Sequence, residues 1–569
     1  MAARKLDLVL MWHMHQPDYR DYATGEYTQP WVYLHALKDY SDMAAHLERH
    51  PGMHAVVNLV PILLDQIEDY VEQYATGRIR DPLLRLLQPT EERPLTEAER
   101  QLIMERCFAA NHEKMVKPYP AYKRLLELHR VFNGDAPHNL AYLSDRYFYD
   151  LLVWYHLAWT GETVRRGSEL VTRLTSEGGN FKVADRRALF EFIGEVIRGI
   201  IPRYAALAEQ GRVELSTTPH YHPLAPLLLD FATAREARPT MELPTASHYP
   251  GGQARVQFHI DSALESHRRR FGTEPAGIWP AEGAVCAQLV DMFGAAACAW
   301  TASSEGVLVQ SLRAGRTIKV AEDWPAQRER CLYRPWRLRS GGPALFFRDD
   351  RLSDLIGFEY AKWHSRDAAL NLIAELDGIA MRAAPDTTPL VSIILDGENC
   401  WEHYPYNGFY FLETLYAALE SHPRIRTTTF KAVLDEGRHI PASLDRLVAG
   451  SWVHADFGTW IGSRDKNAAW DLLVTAKQCY DLVLNSGRLD EGARAAAMRQ
   501  LASCESSDWF WWLGDYNPPE AVEAFDRRYR ANLGHLYELL KLPRPHTLDI
   551  PISRGAGQPE SGGTMRRAS

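Results

Sequence analysis

The chain is poor in cysteine, and the seven it has among 569 residues follow no framework. They are odd in number, scattered, and never spaced C-x-x-C, which argues against a disulfide scaffold or a Cys-type zinc site and for a reducing compartment. No run of about 20 apolar residues exists, so no membrane span is expected. No long basic run appears, and the formal net charge is −9, which removes the electrostatic case for a nucleic-acid partner. No internal repeat is visible. The opening "MAARKLDLVLMW" carries only a short apolar stretch interrupted by Asp7, with no small-residue cleavage site after it. It reads as a first strand and not as a leader, and a cytoplasmic location is the expectation.

Aromatic residues are abundant instead, with 16 Trp and 26 Tyr. Such rings fill large cores, and exposed ones offer flat faces suited to sugars. Short apolar strands alternate with helical patterns over the first 430 or so residues. Strand candidates lie at 6–13, 54–60, 212–219, 277–280, 297–301, 344–348 and 390–397. Several lack polar alternation, as strands buried on both faces do. Repeated β-then-α predicts a parallel α/β barrel or, failing that, a doubly wound sheet. Residues 75–183 read as a long helical insertion between the second and third strands. The expected domains are 1–440, holding the strands and the insertion, and 441–550, an Ala/Leu-rich helical bundle. The tail 551–569 is expected to be disordered.

Polar residues gather just after the apolar strands, at the edge where α/β folds build their sites. "VLMWHMHQPDY" (9–19) breaks from an apolar run into His13 and His15, which strand alternation places on one face. "TTPHYHPLAPLL" carries His220, read as structural, and His222. "GIWPAEGAV" carries Trp279 and Glu282, and "FFRDD" carries Asp349. "SIILDGENCWEHYPYNG" carries Asp396, Glu398 and Trp401 after the most apolar strand. Glycosidic bond cleavage needs two carboxyl groups, and Glu282 with Asp396 supplies such a pair from two strand ends. A helix cap is the competing use of either acid. His-x-His on one strand face is also a zinc half-site, which His222 with Asp349 or Asp396 would complete.

Five of these stretches, in order, resemble the five sequence regions of glycoside hydrolase family 57. The first is His13-Met14-His15-Gln16-Pro17. The second is "GRVELSTTPHYHPLAPLL" (211–228), and the third is "GIWPAEGAV" (277–285). The fourth is "IILDGENCWEHYPYNG" (393–408), and the fifth is "WIGSRDKNAAWDLL" (460–473). "DWFWWLGD" (508–515) and "FFRDDRLSDLIGF" (346–358) also look like stretches of its amylase-like members. The resemblance runs from residue 6 to about residue 520. His220 departs from it, where an aromatic residue is expected.

The resemblance implies a (β/α)7 barrel followed by a helical domain, acting on α-glucan or malto-oligosaccharide without a metal or cofactor. It places the nucleophile on Glu282 and the proton donor on Asp396. Double displacement with retention follows, for which the carboxyls stand roughly 5–5.5 Å apart. His13 and His15 are expected to donate hydrogen bonds to sugar hydroxyls. His222, Asp349 and Glu398 are expected to hold the sugar or orient the acids, and Trp279, Trp401 and Trp460 to stack on it. Hydrolysis of α-1,4 bonds is the favoured outcome. Transfer to a sugar hydroxyl, as in a 4-α-glucanotransferase or a branching enzyme, is the alternative. Two readings of other classes are a zinc-dependent glycosidase or deacetylase and a non-catalytic glucan-binding protein.

Overall fold

The computed structural model describes residues 5–88, 91–132, 137–316 and 324–557. It is a mixed α/β fold with a helical C-terminal region. All seven sequence-expected strands are present: β1 (Leu6–Met14), β2 (Ala55–Leu59), β3 (Val213–Ser216), β4 (Gly277–Ile278), β5 (Trp300–Ser304), β7 (Gly341–Arg348) and β8 (Leu390–Asp396). Three short strands join them: β6 (Trp336–Leu338), β9 (Ile425–Thr427) and β10 (Ala442–Leu444).

The strands form two sheets. One runs β3-β2-β1-β8, with β9 beside the start of β1, and every pairing is parallel. The other runs β10-β6-β7-β5-β4, parallel except between β6 and β7. Two links join the sheets: a parallel bridge from Thr217 to Ile278, and a hydrogen bond from Asp349 N to Ser392 O of 2.8 Å.

Strand alternation sorts β1 into two sets of side chains. Leu8, Leu10, Trp12 and Met14 pack in the large core with the surrounding helices, whereas Val9 and Met11 share a core with residues of both sheets. That inner core also takes Val56 of β2, Trp300 and Ala302 of β5, Ala344 and Phe346 of β7, and Leu390 and Ile394 of β8. Continuing each column by two residues reaches Asn58, Arg348 and Asp396, and on β1 His13. The apolar interior therefore ends in a polar layer at the C-terminal ends of the strands.

Between Pro61–Thr76 and Val183–Glu209 the described elements are all helical, as expected for the insertion. The C-terminal helices Arg464–Asn485, Glu491–Cys504, Ser507–Trp512 and Pro519–Leu539 do not form a separate bundle core. Trp470, Trp509, Phe510 and Tyr529 share one core with Leu224, Leu228, Ile260 and Phe293. Residues 551–557 are ordered, with Ser553 Oγ accepting from Gly514 N at 3.1 Å. The rest of the tail, 558–569, lies outside the described residues. Among the described residues no helix is long and apolar enough to cross a membrane.

Candidate active site

The polar layer opens into a cavity of about 860 Å³. His13, His15, His222, Glu282, Asp396 and Glu398 all line it, so six of the ten sequence-expected site residues meet in one place.

His13, Asn58, Ser216 and Asp396 are register partners across β8-β1-β2-β3. Asn58 fixes the state of His13. Its Nδ2 donates to Thr217 O (2.8 Å) and Ser216 Oγ (3.0 Å), so its Oδ1 is the atom facing His13 Nδ1 at 2.7 Å. Oδ1 only accepts, so Nδ1 carries the proton. Burial and the neighbouring His15 lower the His13 pKa to about 3, and the ring is therefore neutral. Its Nε2 presents a lone pair and accepts.

His15 lies over His222, with ring centroids 3.8 Å apart and planes 15° from parallel. His15 Nε2 faces Asp508 at 3.0 and 3.1 Å, and its backbone N donates to Glu398 Oε1 at 3.2 Å. Burial and the two other histidines hold His222 well below the usual imidazole range. Its Nδ1 faces Ser507 Oγ at 2.9 Å. Atoms of His15, His222 and Asp508 come within 4.8 Å of one another, close enough to suggest a metal. The ring geometry argues against one. A metal lies in the plane of each imidazole that binds it, and two nearly parallel stacked planes do not converge on one ion. His15 and Asp508 also already satisfy each other.

Glu282 follows β4 in a left-handed conformation, φ 60° and ψ 22°, which is uncommon for a residue with a Cβ and marks a constrained position. Trp452 grips it twice. Its backbone N donates to Glu282 O and its indole Nε1 to Glu282 Oε2, both at 3.0 Å. Ser507 Oγ stands 3.4 Å from Oε1. Burial, helped by the charges of Asp508 and Asp396, pushes the carboxyl up to about 8 against these two donors. Burial also raises Asp396, whose Oδ2 accepts from Asn399 Nδ2 at 2.8 Å. Burial and the charge of Asp396 raise Glu398 well above the carboxylate range. Clustered carboxyls that resist ionising together are the arrangement acid–base chemistry requires.

Four sequence-expected residues do not line the cavity. Asp349 is fully buried, where it caps the helix Asp350–Asp354 through Leu352 N (2.9 Å), accepts from Tyr333 OH (2.8 Å) and pairs with Arg328 (2.8 Å). Trp279, Trp401 and Trp460 are at most 1% exposed. Trp279 packs under His13 and Trp452, Trp401 packs against Trp12 and Tyr404, and the indole of Trp470 donates to Trp460 O. The tryptophans that do line the cavity are Trp31, Trp159, Trp452, Trp511 and Trp512. His220 pairs with Asp65 at 2.8 Å and lies outside the lining, in keeping with a structural reading. Sequence reasoning also missed Ser507 and Trp452. Asp508 stood in a quoted motif without a role.

The chain matches the family model described as Glycosyl hydrolase family 57 over residues 9–444. Several solved structures resemble it, among them the following three. A GH57 branching enzyme from Thermococcus kodakaraensis is 14% identical, with TM-score 0.56, 94% of this chain and 90% of that one covered. A GH57-type branching enzyme from Pyrococcus horikoshii is 14% identical, with TM-score 0.56 and both chains covered in full. The α-amylase AmyC from Thermotoga maritima is 13% identical, with TM-score 0.55, 94% of this chain and 93% of that one covered. At these identities the likeness is one of fold.

Proposed function

From the premise that the chain belongs to glycosyl hydrolase family 57, we propose that it cleaves α-1,4-glucosidic bonds by double displacement, with Glu282 as nucleophile and Asp396 as general acid and base. One observation carries this reading: the two acids come from the ends of strands in different sheets and meet in a single aromatic-walled cavity. Strands β1, β2, β3, β4, β5, β7 and β8, with the two links between the sheets, are read as a seven-stranded barrel that brings them together.

The ionised Glu282 attacks the anomeric carbon while Asp396 gives its proton to the departing oxygen. Asp396, now a carboxylate, takes a proton from water, whose oxygen then releases the sugar from Glu282 with net retention. The raised Asp396 pKa suits a group that must hold a proton near neutrality. Glu282 works in the opposite sense, because its burial favours the protonated form. Positive charge developing at the anomeric centre favours its carboxylate when substrate is present. His13 Nε2 accepts from a sugar hydroxyl, and the part-exposed Trp31, Trp511 and Trp512 offer stacking faces along the cavity wall.

The same walls favour a second reading. Aromatic faces flanking the acids can seat an acceptor sugar where water would otherwise attack, and transfer then replaces hydrolysis. Incubation of the purified protein with maltoheptaose, followed by product chromatography and a reducing-end assay, separates the two. Shorter chains with rising reducing ends mean hydrolysis. Longer chains at constant reducing ends mean transfer. No product of either kind overturns the proposal.

A further inference from the structure

Ser507 stands between Glu282 and His222 with one hydroxyl proton to give. Its Oγ is 2.9 Å from His222 Nδ1 and 3.4 Å from Glu282 Oε1, and the residue is fully buried. A neutral imidazole carries one N–H, so the tautomer of His222 decides where the Ser507 proton goes. With the proton on Nδ1, His222 donates to Ser507 and the hydroxyl turns to Glu282. With the proton on Nε2, Ser507 donates to Nδ1 and Glu282 loses that donor. His222 lines the cavity, and its Nε2 has no hydrogen-bond partner among the described residues. No partner of the buried Nε2 therefore fixes the choice from the other side of the ring.

We propose, building on the assignment of Glu282 as nucleophile, that Ser507 is a positioning residue through which the tautomer of His222 and the charge state of Glu282 are coupled. The Nδ1–H tautomer turns the Ser507 hydroxyl toward Glu282, where the added donor favours the carboxylate. The Nε2–H tautomer takes that donor away and favours the protonated acid, in line with the raised pKa of Glu282.

The surroundings hold this relay in register. Ser507 N donates to His222 O at 2.9 Å, and Ser506 bridges to Pro223. The preceding Glu505 is locked by Arg255, His259 and Tyr249, which ties the segment to the helix Gly252–Phe271. The charged and titratable groups around the relay are Asp508 and Asp396 near Glu282, Arg348 over the Trp452 ring, and His13 and His15 against His222.

The test has one arm that does not depend on turnover. In enzyme labelled with ¹⁵N-histidine, with His222 assigned by substitution, the Nδ1 and Nε2 shifts are followed from pH 6 to 10 without substrate. The His222 tautomer ratio should change as Glu282 ionises near pH 8, and stay flat in Ser507→Ala and in Glu282→Gln. A flat wild-type profile overturns the relay. The second arm is the pH profile of kcat on maltoheptaose. In Ser507→Ala its acidic limb should move up by about one pH unit with KM within roughly twofold of wild type. A fall in kcat with the limb unmoved also overturns the relay. If wild type turns over no maltoheptaose yet the tautomer follows Glu282, the relay stands and the glucan assignment falls.

Discussion

Trp452 holds Glu282 at both ends, its backbone N on the glutamate carbonyl and its indole on the carboxyl, each at 3.0 Å. One residue thereby fixes the left-handed backbone that aims the carboxyl and supplies a donor to it. Trp452→Phe keeps most of the ring's packing and removes only the indole donor. A hydrogen bond to a charged group contributes about 1.5–3 kcal/mol. Its loss should raise the Glu282 pKa further, lower kcat by ten- to a hundredfold and move the acidic limb of kcat upward. A pH profile that does not move would show that the indole does not act on the carboxyl.

Glu282→Ala should abolish turnover of maltoheptaose by at least about a thousandfold, and azide entering the space left by the side chain should give a glycosyl azide of inverted configuration if Glu282 is the nucleophile. Asp396→Asn should lose about 10²–10⁴-fold on maltoheptaose. It should lose far less on an aryl maltoside whose leaving group needs no proton. Equal losses on both substrates would contradict the acid role.

That Glu282 and Asp396 reach one cavity was legible because each follows a strand in a run whose type and order are distinctive, and the alternation along β1 and β8 continues from Met11 to His13 and from Ile394 to Asp396. The aromatic wall was not legible. Trp279 and Trp401 stand beside the catalytic motifs in sequence, but a ring's neighbours in the chain do not say whether it turns inward or toward the cavity. Both became core. Trp31, Trp159, Trp511 and Trp512 come from loops and helices far apart in the chain, and only the packed structure brings them to one cavity. Asp349 misled for the reason that makes acids common at such positions: a carboxylate after a strand also caps the helix that follows.

Asp349→Ala should therefore act on stability. It removes a helix cap and leaves Glu305 as the acid paired with Arg328 among the described residues, so a loss of about 2–4 kcal/mol in chemical denaturation is expected, with KM for maltoheptaose unchanged. An increase in KM without loss of stability would return Asp349 to the substrate site.

The raised pKa of Glu282 also has a stability consequence of definite sign. Between its ordinary value near 4.5 and about 8, the unfolded chain has lost this proton and the folded chain has not. Stability from this group is thus complete below pH 4.5 and is lost as pH rises toward 8. Glu282→Gln, which carries no titrating proton, should gain on wild type across that window, by up to about 5 kcal/mol, and by a constant amount above it. Denaturant midpoints for the two proteins between pH 4.5 and 9 provide the check, and parallel curves would place the carboxyl in an ordinary ionised state.

The Asn58–His13 contact makes the last prediction. Because Asn58 Oδ1 takes the proton on Nδ1, the Nε2 of a neutral His13 can only accept. A sugar hydroxyl bound there must donate, and fluorine in its place cannot. Binding of monodeoxy and monofluoro maltosides to Glu282→Gln, which leaves the ligand intact, separates the cases. At the position read by His13, the fluoro and deoxy ligands should weaken equally, by roughly five- to tenfold for a lost hydrogen bond of about 1–1.5 kcal/mol. Asn58→Leu removes the lock and frees His13 to take the other tautomer. That variant should recover part of the fluoro ligand's affinity and none of the deoxy ligand's. If the fluoro ligand binds wild-type His13 as well as the parent sugar does, the ring is donating, and the assignment of its proton to Nδ1 is wrong.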